Sequence, residues 1–191
     1  MDALAHALRK IISDETQKQS ASATAKGKSP NNTVTYPAAV AASPEAAADE
    51  LAENFDLLEE RDAKNQYVID LGDALPHTFD LLKQVTTRVA GCMSEVYVVT
   101  RRSPGDEHVL EFVADANADI VRGLIAILQR LYSGQRVDEV LAFDIESFFR
   151  RIGLDQFITS QRRNGLAGMI NRIRASAKAL SQTESKANST V

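Results

Sequence analysis

Large apolar side chains are sparse at both ends of the chain and frequent between them. Residues 13–43 are rich in Ser, Ala, Thr and Lys and contain almost no large apolar residue. Such a stretch cannot bury enough apolar surface to offset its ordering entropy, so we expect residues 1–43 to form a disordered extension. A short helix over residues 4–12 would have little to pack against. The polar residues 181–191 are expected to form a disordered tail.

Helical spacing of apolar residues begins just after Ser43. Ser43, Pro44 and Glu45 combine a favoured N-cap, a residue suited to the first helical turn and an acid that complements the helix dipole. A second helical stretch follows and is expected to break near Gly72 and Pro76. The apolar positions that define these two helices are Leu51, Phe55, Leu58, Tyr67, Val68, Leu71 and Leu75.

In the middle of the chain the apolar residues no longer follow a helical period. Residues 95–101 and 109–114 are rich in β-branched and aromatic residues, which favour strands. Between them, residues 103–106 read SPGD. Pro104 presets the first central angle of a turn, and Gly105 is expected to supply a positive φ at the second. The pattern predicts a β-hairpin.

Helices return after the hairpin. A long helix is predicted over residues 120–131, ended by Gly134, and shorter helices over residues 137–142 and 145–151. A last helix should start near Thr159 and Ser160. One face of the long helix carries Ile120, Val121, Leu124, Ile127, Leu128 and Leu131. The last helix turns Leu166, Met169, Ile170 and Ile173 inward and Arg162, Arg163, Arg172, Arg174 and Lys178 outward.

The order of these elements predicts the fold class. Helices, a hairpin and then more helices are typical of an α+β domain, here over residues 44–180. We expect a small antiparallel sheet of about three strands packed with several α-helices.

The charge balance excludes several classes of function. There are 22 basic and 26 acidic residues, a net charge of −4, whereas a nucleic-acid binder carries a basic domain and anionic lipid attracts basic segments. No apolar run reaches the ~18 residues of a membrane span. The start lacks the apolar core of a signal peptide, so a cytoplasmic protein is expected. The first residues are faintly similar to an organelle transit peptide, but Asp2, Asp14 and Glu15 oppose that alternative.

Most signatures of catalysis are missing. The sequence contains no phosphate-binding loop, dinucleotide motif, zinc-protease motif or nucleophile elbow. His6, His77 and His108 stand far apart and are interpreted as solvated or hydrogen-bonding residues. A single cysteine, Cys92, excludes an internal disulfide and any metal site that needs two thiolates.

Cys92 is the main candidate for chemistry. A lone cysteine is often a buried structural thiol, but Cys92 falls where helical spacing gives way to the first strand, which puts it on a connection. Gly91 permits a tight turn and close approach of another backbone to the sulfur, and Arg88 is near enough to favour a thiolate. Spacing alone leaves open a nucleophile, a sulfur carrier, a redox sensor and an inert thiol.

The basic helix around Arg162 and Arg163 is the second candidate. It is either a solvated face, a docking surface for an acidic partner, or a source of a cation that steadies a sulfur anion.

Five motifs, in order along the chain, resemble the SufE family of cysteine desulfuration proteins. The resemblance covers about residues 51–178. The motifs are Asn54-Phe55 with residues 67–72 (YVIDLG), residues 89–96 (VAGCMSEV), residues 115–125 (DANADIVRGLI), residues 131–134 (LYSG) and residues 162–166 (RRNGL), the last of which matches the family's RxxGL signature.

The resemblance implies a sulfur acceptor and activator that is not itself an enzyme. Its partner would be a SufS-like cysteine desulfurase, which uses pyridoxal phosphate, and the chain itself would need no cofactor. Persulfide sulfur would pass to Cys92 and then to a SufBCD-like scaffold that assembles iron–sulfur clusters. Arg162 falls on the family's arginine and would stabilise a persulfide anion or contact the desulfurase. The family also implies a monomer with a fold similar to the scaffold IscU.

Two further expectations concern the connection that carries Cys92. Gly91 should shape it, and Cys92 should be shielded in the free protein, because an exposed persulfide would be lost to reductants. The chain departs from the family pattern at Met93, Thr87, Asn117 and Tyr97, where Gln, Asn, Asp and Trp are frequent. These departures bear on partner choice and on the energetics of the loop.

Three rival functions remain at this point. An IscU-type scaffold uses three cysteines, and this chain has one. A cysteine-nucleophile hydrolase or thiol peroxidase needs a base beside the thiol, which in the fold could only be His77 or His108 placed next to Cys92. A protein-interaction module with an inert thiol is the third.

Overall fold

The computed structural model describes residues 34–187, with side chains up to residue 182. Eight helices and three strands lie within this part of the chain, as the α+β prediction requires. Residues 1–33 and 188–191, and with them the expected helix over residues 4–12, lie outside the described residues. In chain order the elements are α1 (Pro44–Asp56), α2 (Arg61–Asp73), α3 (Phe79–Val85), β1 (Val96–Ser103), β2 (Asp106–Ala116), α4 (Asp119–Tyr132), β3 (Gln135–Arg136), α5 (Val137–Ala142), α6 (Ile145–Arg151), α7 (Leu154–Phe157) and α8 (Ser160–Ala187).

The described strands form one antiparallel sheet in the order β1-β2-β3. Val96 lies opposite Ala116 and Ser103 opposite Asp106, so the predicted hairpin is confirmed. The short strand β3 pairs with the middle of β2. One face of the hairpin enters the main core through Val98, Leu110 and other alternate residues, as expected for a sheet covered by helices.

The turn of the hairpin differs from the prediction. Gly105 does not adopt a positive φ; the described glycines that do are Gly91, Gly134 and Gly153. The strand register shifts between Arg102 and Ser103. This irregularity lets the strands join without a left-handed residue at the tip.

Helix α1 starts as the sequence predicts. The Ser43 side chain accepts a hydrogen bond from the backbone N–H of Ala46 at 3.2 Å, and Pro44 occupies the first turn. Helices α5 and α6 have the predicted bounds. Helices α3 and α7, of seven and four residues, were not predicted.

Helix α4 lies at the centre of the domain. Its expected apolar face is buried, but so are Ile125, Ala126, Arg122 and Gln129 on its other sides. The helix is enclosed because it contacts α1, α2 and α8 as well as strand β2. The amphipathic pattern therefore understates how deeply this helix is buried.

Helices α2 and α4 cross at two glycines. A Cβ on Gly123 would lie 1.9 Å from the carbonyl oxygen of Val68, and one on Gly72 would lie 2.5 Å from the backbone nitrogen of Gly123. Helix α2 ends at Asp73, close to the predicted break. Gly72 nevertheless lies inside the helix, where it permits close approach of another backbone rather than a stop.

A buried ion pair ties the end of β2 to these helices. The Asp115 carboxylate accepts hydrogen bonds from Arg122 Nη1 at 2.5 Å and from the backbone N–H of Thr78 at 2.7 Å. Arg122 Nη2 donates to the carbonyl oxygens of Gly72 and Leu75. Each charged group thus has additional polar partners, which a buried ion pair requires.

Residues 34–43 pack against the domain without regular secondary structure. The Ser133 hydroxyl donates to the carbonyl oxygen of Pro37, and the Gln135 side-chain amide donates to that of Ala41, both at 3.0 Å. This packed segment differs from the disordered extension expected there. It is packed because its carbonyl groups satisfy polar side chains that are buried under it.

The other end of the domain also extends beyond the prediction. Helix α8 continues to Ala187, past residue 181, where a disordered tail is expected. Arg102 Nη2 donates to the carbonyl oxygen of Leu180 at 2.6 Å and so fastens this part of α8 to β1.

Candidate functional site

Cys92 lies on the connection between α3 and β1, as the change of spacing predicts. The residue before it, Gly91, has a φ of 82°, which a residue with a side chain rarely adopts. An added Cβ at Gly91 would meet nothing within 4 Å. Gly91 therefore shapes the turn, as expected, but the close approach of a second backbone to the sulfur occurs elsewhere.

The Cys92 loop, defined as residues 86–95, is tied down by Arg88. Its Nη2 donates to the carbonyl oxygens of Cys92, Met93 and Ser94 at 2.7, 2.8 and 3.2 Å. The sequence indicates that Arg88 is close to the thiol, but the guanidinium binds the backbone of the loop and not the sulfur. Its main effect is to fix the path of the loop.

The far end of the loop is clamped to the residues after β2. The backbone N–H of Glu95 donates to Asn117 Oδ1 at 2.9 Å, and the backbone N–H of Asn117 donates to the Glu95 carbonyl at 3.2 Å. Asn117, where the family commonly has an acid, thus keeps the side-chain acceptor that this clamp uses.

The sulfur of Cys92 rests on helix α8 at Gly165. The Cys92 thiol donates to the carbonyl oxygen of Gly165, with Sγ and oxygen 3.2 Å apart. A Cβ on Gly165 would lie 3.1 Å from that sulfur, and one on Gly168 would lie 2.8 Å from the carbonyl oxygen of Ala90. Two glycines one turn apart thus make room for the loop. Sequence reasoning did not assign them a role, although a glycine inside a helical pattern is a recognised indication of close packing.

The thiol is partly buried, in accord with the expected shielding. Burial raises the pKa of Cys92 above its usual value, and the positive charge of Arg88 opposes that rise without cancelling it. The resting thiol is therefore protonated at neutral pH. The expectation that Arg88 favours a thiolate is correct in sign, but burial is the larger effect.

A cleft of about 310 Å³ opens at Cys92. It brings Cys92 and Arg162 together, as the sequence proposes, and adds hydroxyl and amide groups from Thr159 and Gln161. Its floor is apolar. The lining residues are Cys92, Met93, Ser94, Val121, Leu124, Thr159, Gln161, Arg162, Gly165, Leu166 and Met169.

The lining contains no histidine and no acid. His77 and His108 lie outside it, so neither of these described histidines supplies the base that a cysteine hydrolase or thiol peroxidase requires at the thiol. Among residues 34–182, no group of three or more His, Cys, Asp or Glu side chains is placed to hold a metal ion. The described helices also include none that is both long and apolar enough to cross a membrane.

The basic face of α8 is less uniform than the sequence indicates. Arg163 donates to the carbonyl oxygens of Asp155 and Ile158 and thereby caps α7. Arg174 is partly buried and donates to the Phe143 carbonyl. Arg162 is exposed at the cleft, and the described part of the chain gives its guanidinium no ion-pair partner. Among the described residues that line the cleft, Arg162 is therefore the cation available to a ligand at Cys92.

Comparison with known proteins gives matches over most of this domain. The sequence model of the domain described as "SufE: Fe-S metabolism associated domain" matches residues 49–177. An uncharacterized SufE-like protein of Rhizobium etli is 40% identical over 134 residues, covering 70% of this chain and 90% of the relative. A second, from Rhizobium meliloti, is 37% identical over 131 residues, covering 68% of this chain and 94% of the relative.

A solved structure extends the comparison to the fold. The solution structure of a hypothetical protein from Thermus thermophilus superposes with a TM-score of 0.57 at 18% identity, covering 71% of this chain and 96% of that one. This likeness concerns the fold alone. From the match over residues 49–177 and the two SufE-like relatives, the chain belongs to the SufE family, whose domain is associated with iron–sulfur metabolism.

Proposed function

We propose that the chain is a sulfur acceptor and activator for a cysteine desulfurase, with Cys92 as the accepting residue. The observation that carries the proposal is the site itself. The chain's one thiol lies on a loop shaped by Gly91, in a cleft that also carries Arg162, which has no ion-pair partner among the described residues. The residues that line the cleft include no acid and no histidine. Such a site suits exchange between sulfur atoms, which needs a thiolate and an anion-stabilising group but no general base for water.

The transfer conserves atoms and electrons. The Cys92 thiolate attacks the terminal sulfur of a persulfide on the partner's cysteine, forming a new S–S bond while the original S–S bond breaks. The partner's cysteine leaves as a thiolate and takes up the proton that Cys92 gave up. Cys92 then carries the persulfide. A second thiol in this chain would resolve that persulfide to a disulfide, and the chain has none.

The resting geometry keeps the acceptor inactive until a partner engages it. The thiol donates to the Gly165 carbonyl, and burial raises the pKa of Cys92. Reaction requires the loop to leave Gly165, so that the sulfur is rehydrated and deprotonated. A partner that displaces the loop would supply that step, and small oxidants or electrophiles would meet a protonated, weakly nucleophilic thiol before it.

Arg162 is proposed to stabilise the persulfide anion or to contact the desulfurase. It lines the cleft together with Cys92, and a guanidinium retains its charge at all physiological pH values. Pyridoxal phosphate would belong to the desulfurase, with no cofactor on this chain. The onward acceptor is proposed to be a SufBCD-like scaffold, and the protein is proposed to act as a cytoplasmic monomer.

Intact-protein mass spectrometry tests the proposal. The protein is incubated with a cysteine desulfurase and L-cysteine without reductant, and its mass is expected to rise by one or more sulfur atoms. The gain should disappear on adding a thiol reductant and be absent in Cys92→Ser. A desulfurase that turns over normally while no sulfur is gained, repeated with a second desulfurase type, would contradict the proposal.

The role of Arg162 has its own control on the same helix. Arg162→Ala should slow loading of Cys92 by about tenfold, the effect of losing one charge-assisted contact. Arg172→Ala removes an exposed arginine of α8 that does not line the cleft, and loading should stay within about twofold of wild type. Equal rates for the two variants would remove Arg162 from the mechanism and leave Cys92 as acceptor.

A further inference from the structure

Met93, the residue after Cys92, exposes an unusual amount of apolar surface. It is 72% exposed, whereas nearly all large apolar side chains of the described residues are buried or partly buried. The other exposed ones are Val85 at 59% and Leu57 at 52%. A single exposed apolar residue is ordinary on a protein surface, so its surroundings decide whether Met93 has a role.

Met93 is not simply at the tip of a loose loop. Arg88 Nη2 binds its carbonyl oxygen at 2.8 Å, and the carbonyls on either side of it are bound by the same nitrogen. The backbone of Met93 is therefore held in place while its side chain points to solvent. Little of this side chain is buried in the free domain, so its apolar surface contributes almost nothing to the stability of the fold.

Among the described residues that line the Cys92 cleft, Met93 is the only large apolar side chain that is exposed. It lines the same cleft as Cys92, and the floor of that cleft is formed by Val121, Leu124, Leu166 and Met169. The reacting sulfur thus lies between an exposed apolar side chain and an apolar floor. An exposed apolar side chain held beside the reacting group offers apolar area to a partner at the place where the two proteins must meet.

We propose that Met93 is the apolar anchor by which the sulfur donor binds, a residue that determines affinity and partner choice but takes no part in the chemistry. The inference rests on the proposed function. The occupant is the persulfide-bearing segment of the desulfurase, which must carry an apolar side chain or pocket beside its reactive cysteine. Methionine suits this role because its unbranched, polarisable side chain adapts to the surface that it meets.

The proposal separates binding from transfer. Burying the Met93 side chain against the partner stabilises the complex before and during the transfer to the same extent. Uniform stabilisation of this kind lowers the concentration of acceptor needed for half-maximal rate and leaves the rate at saturation unchanged. A residue that acts on the sulfur, by contrast, would change the rate at saturation.

The experiment compares two exposed apolar residues. Met93→Gln keeps the length of the side chain and removes its apolar end, and Leu57→Gln replaces an exposed apolar side chain with the same amide at a site that does not line the cleft. Met93→Leu restores apolar surface. Each variant is titrated against the desulfurase that loads Cys92 in wild type, measuring the acceptor concentration for half-maximal loading, the loading rate at saturation and the dissociation constant.

For Met93→Gln we expect about a tenfold increase in both the half-maximal concentration and the dissociation constant, with the saturated rate within about twofold of wild type. Met93→Leu and Leu57→Gln should remain within about threefold of wild type. Unchanged binding by Met93→Gln, an equal loss in Leu57→Gln, or a loss only in the saturated rate would each overturn the proposal. Failure of wild type to load at all would instead refute the proposed function on which it rests.

Discussion

The crossing of α2 and α4 and the Cys92 loop are held together in opposite ways. At the crossing, Gly72 and Gly123 bring two backbones into direct contact, and no side chain separates them. The Cys92 loop also packs on two glycines of α8, but it is held there by hydrogen bonds from Arg88, from Cys92 and to Asn117, which involve backbone groups of the loop or of α8.

The difference explains how one small domain can be both rigid and reactive. The crossing has no alternative arrangement, because any separation of the helices would open a void in the core. The hydrogen bonds of the loop can be exchanged for bonds to water or to a partner at low net cost. The scaffold therefore fixes where the thiol is presented, while the loop remains the part that can open.

Adding one carbon at the crossing should produce the largest effect. The Cβ of Gly123→Ala would overlap the Val68 carbonyl, which is backbone and cannot rotate away. We expect the free energy of unfolding to fall by about 3 kcal/mol or more, measured by urea denaturation. Gly105→Ala adds the same carbon where nothing lies within 4 Å and should change stability by less than about 0.5 kcal/mol. A Gly123→Ala protein as stable as Gly105→Ala would refute the account of the crossing.

Removing the clamp at the end of the loop should have a smaller effect on stability and a visible effect on the thiol. Asn117→Ala deprives the Glu95 N–H of its acceptor and should cost about 1 kcal/mol. Because the loop then opens more often, alkylation of Cys92 should be several times faster. Asn117→Asp keeps an acceptor at the same place and should behave like wild type. If Asn117→Ala is alkylated no faster than Asn117→Asp, the clamp does not control opening.

The smallest effect is a shift along the pH axis. Burial raises the pKa of Cys92, so the pH at half-maximal alkylation should lie above the ~8.5 of an ordinary cysteine and return towards it in urea. Stability follows from the same shift. The contribution of Cys92 to the free energy of unfolding is fully present below the pKa of the unfolded thiol. It declines as pH rises from there to the pKa of the folded thiol, because only the unfolded thiol ionises in that window. Cys92→Ser should lack the decline, and a half-maximal pH at or below ~8.5 in the folded protein would contradict the shift.

The sequence could predict features that are set by neighbouring residues. The start of α1 at Ser43, the bounds of α5 and α6 and the hairpin all follow from short-range patterns, and so does the place of Cys92 on a connection. The family motifs added Arg162, which does lie at the cleft. None of these needs knowledge of what packs against the segment.

Features set by residues distant in the chain were out of reach. Gly165 meets a sulfur that is 73 positions away. The family motif over residues 162–166 includes this glycine, but the residues around it in the sequence do not indicate what it contacts. The direction of the Arg88 side chain depends on how the loop folds back. Its proximity to Cys92 in the sequence therefore predicted the sign of its effect on the pKa of the thiol, but not the carbonyl oxygens that it binds. Arg174 reads as an outward basic residue, yet it binds a carbonyl of the α5–α6 connection.

Residues 34–43 limit where this protein can be truncated without loss of stability. The stretch that matches the family model starts at residue 49, and a truncation there would remove the Ala41 carbonyl from the Gln135 amide, which is almost wholly inaccessible to solvent. The same segment covers the amide, so its removal would exchange this hydrogen bond for one to water, at a net cost of about 0.5–1.5 kcal/mol. The part of this chain that matches the family model is thus shorter than the part that folds as a unit.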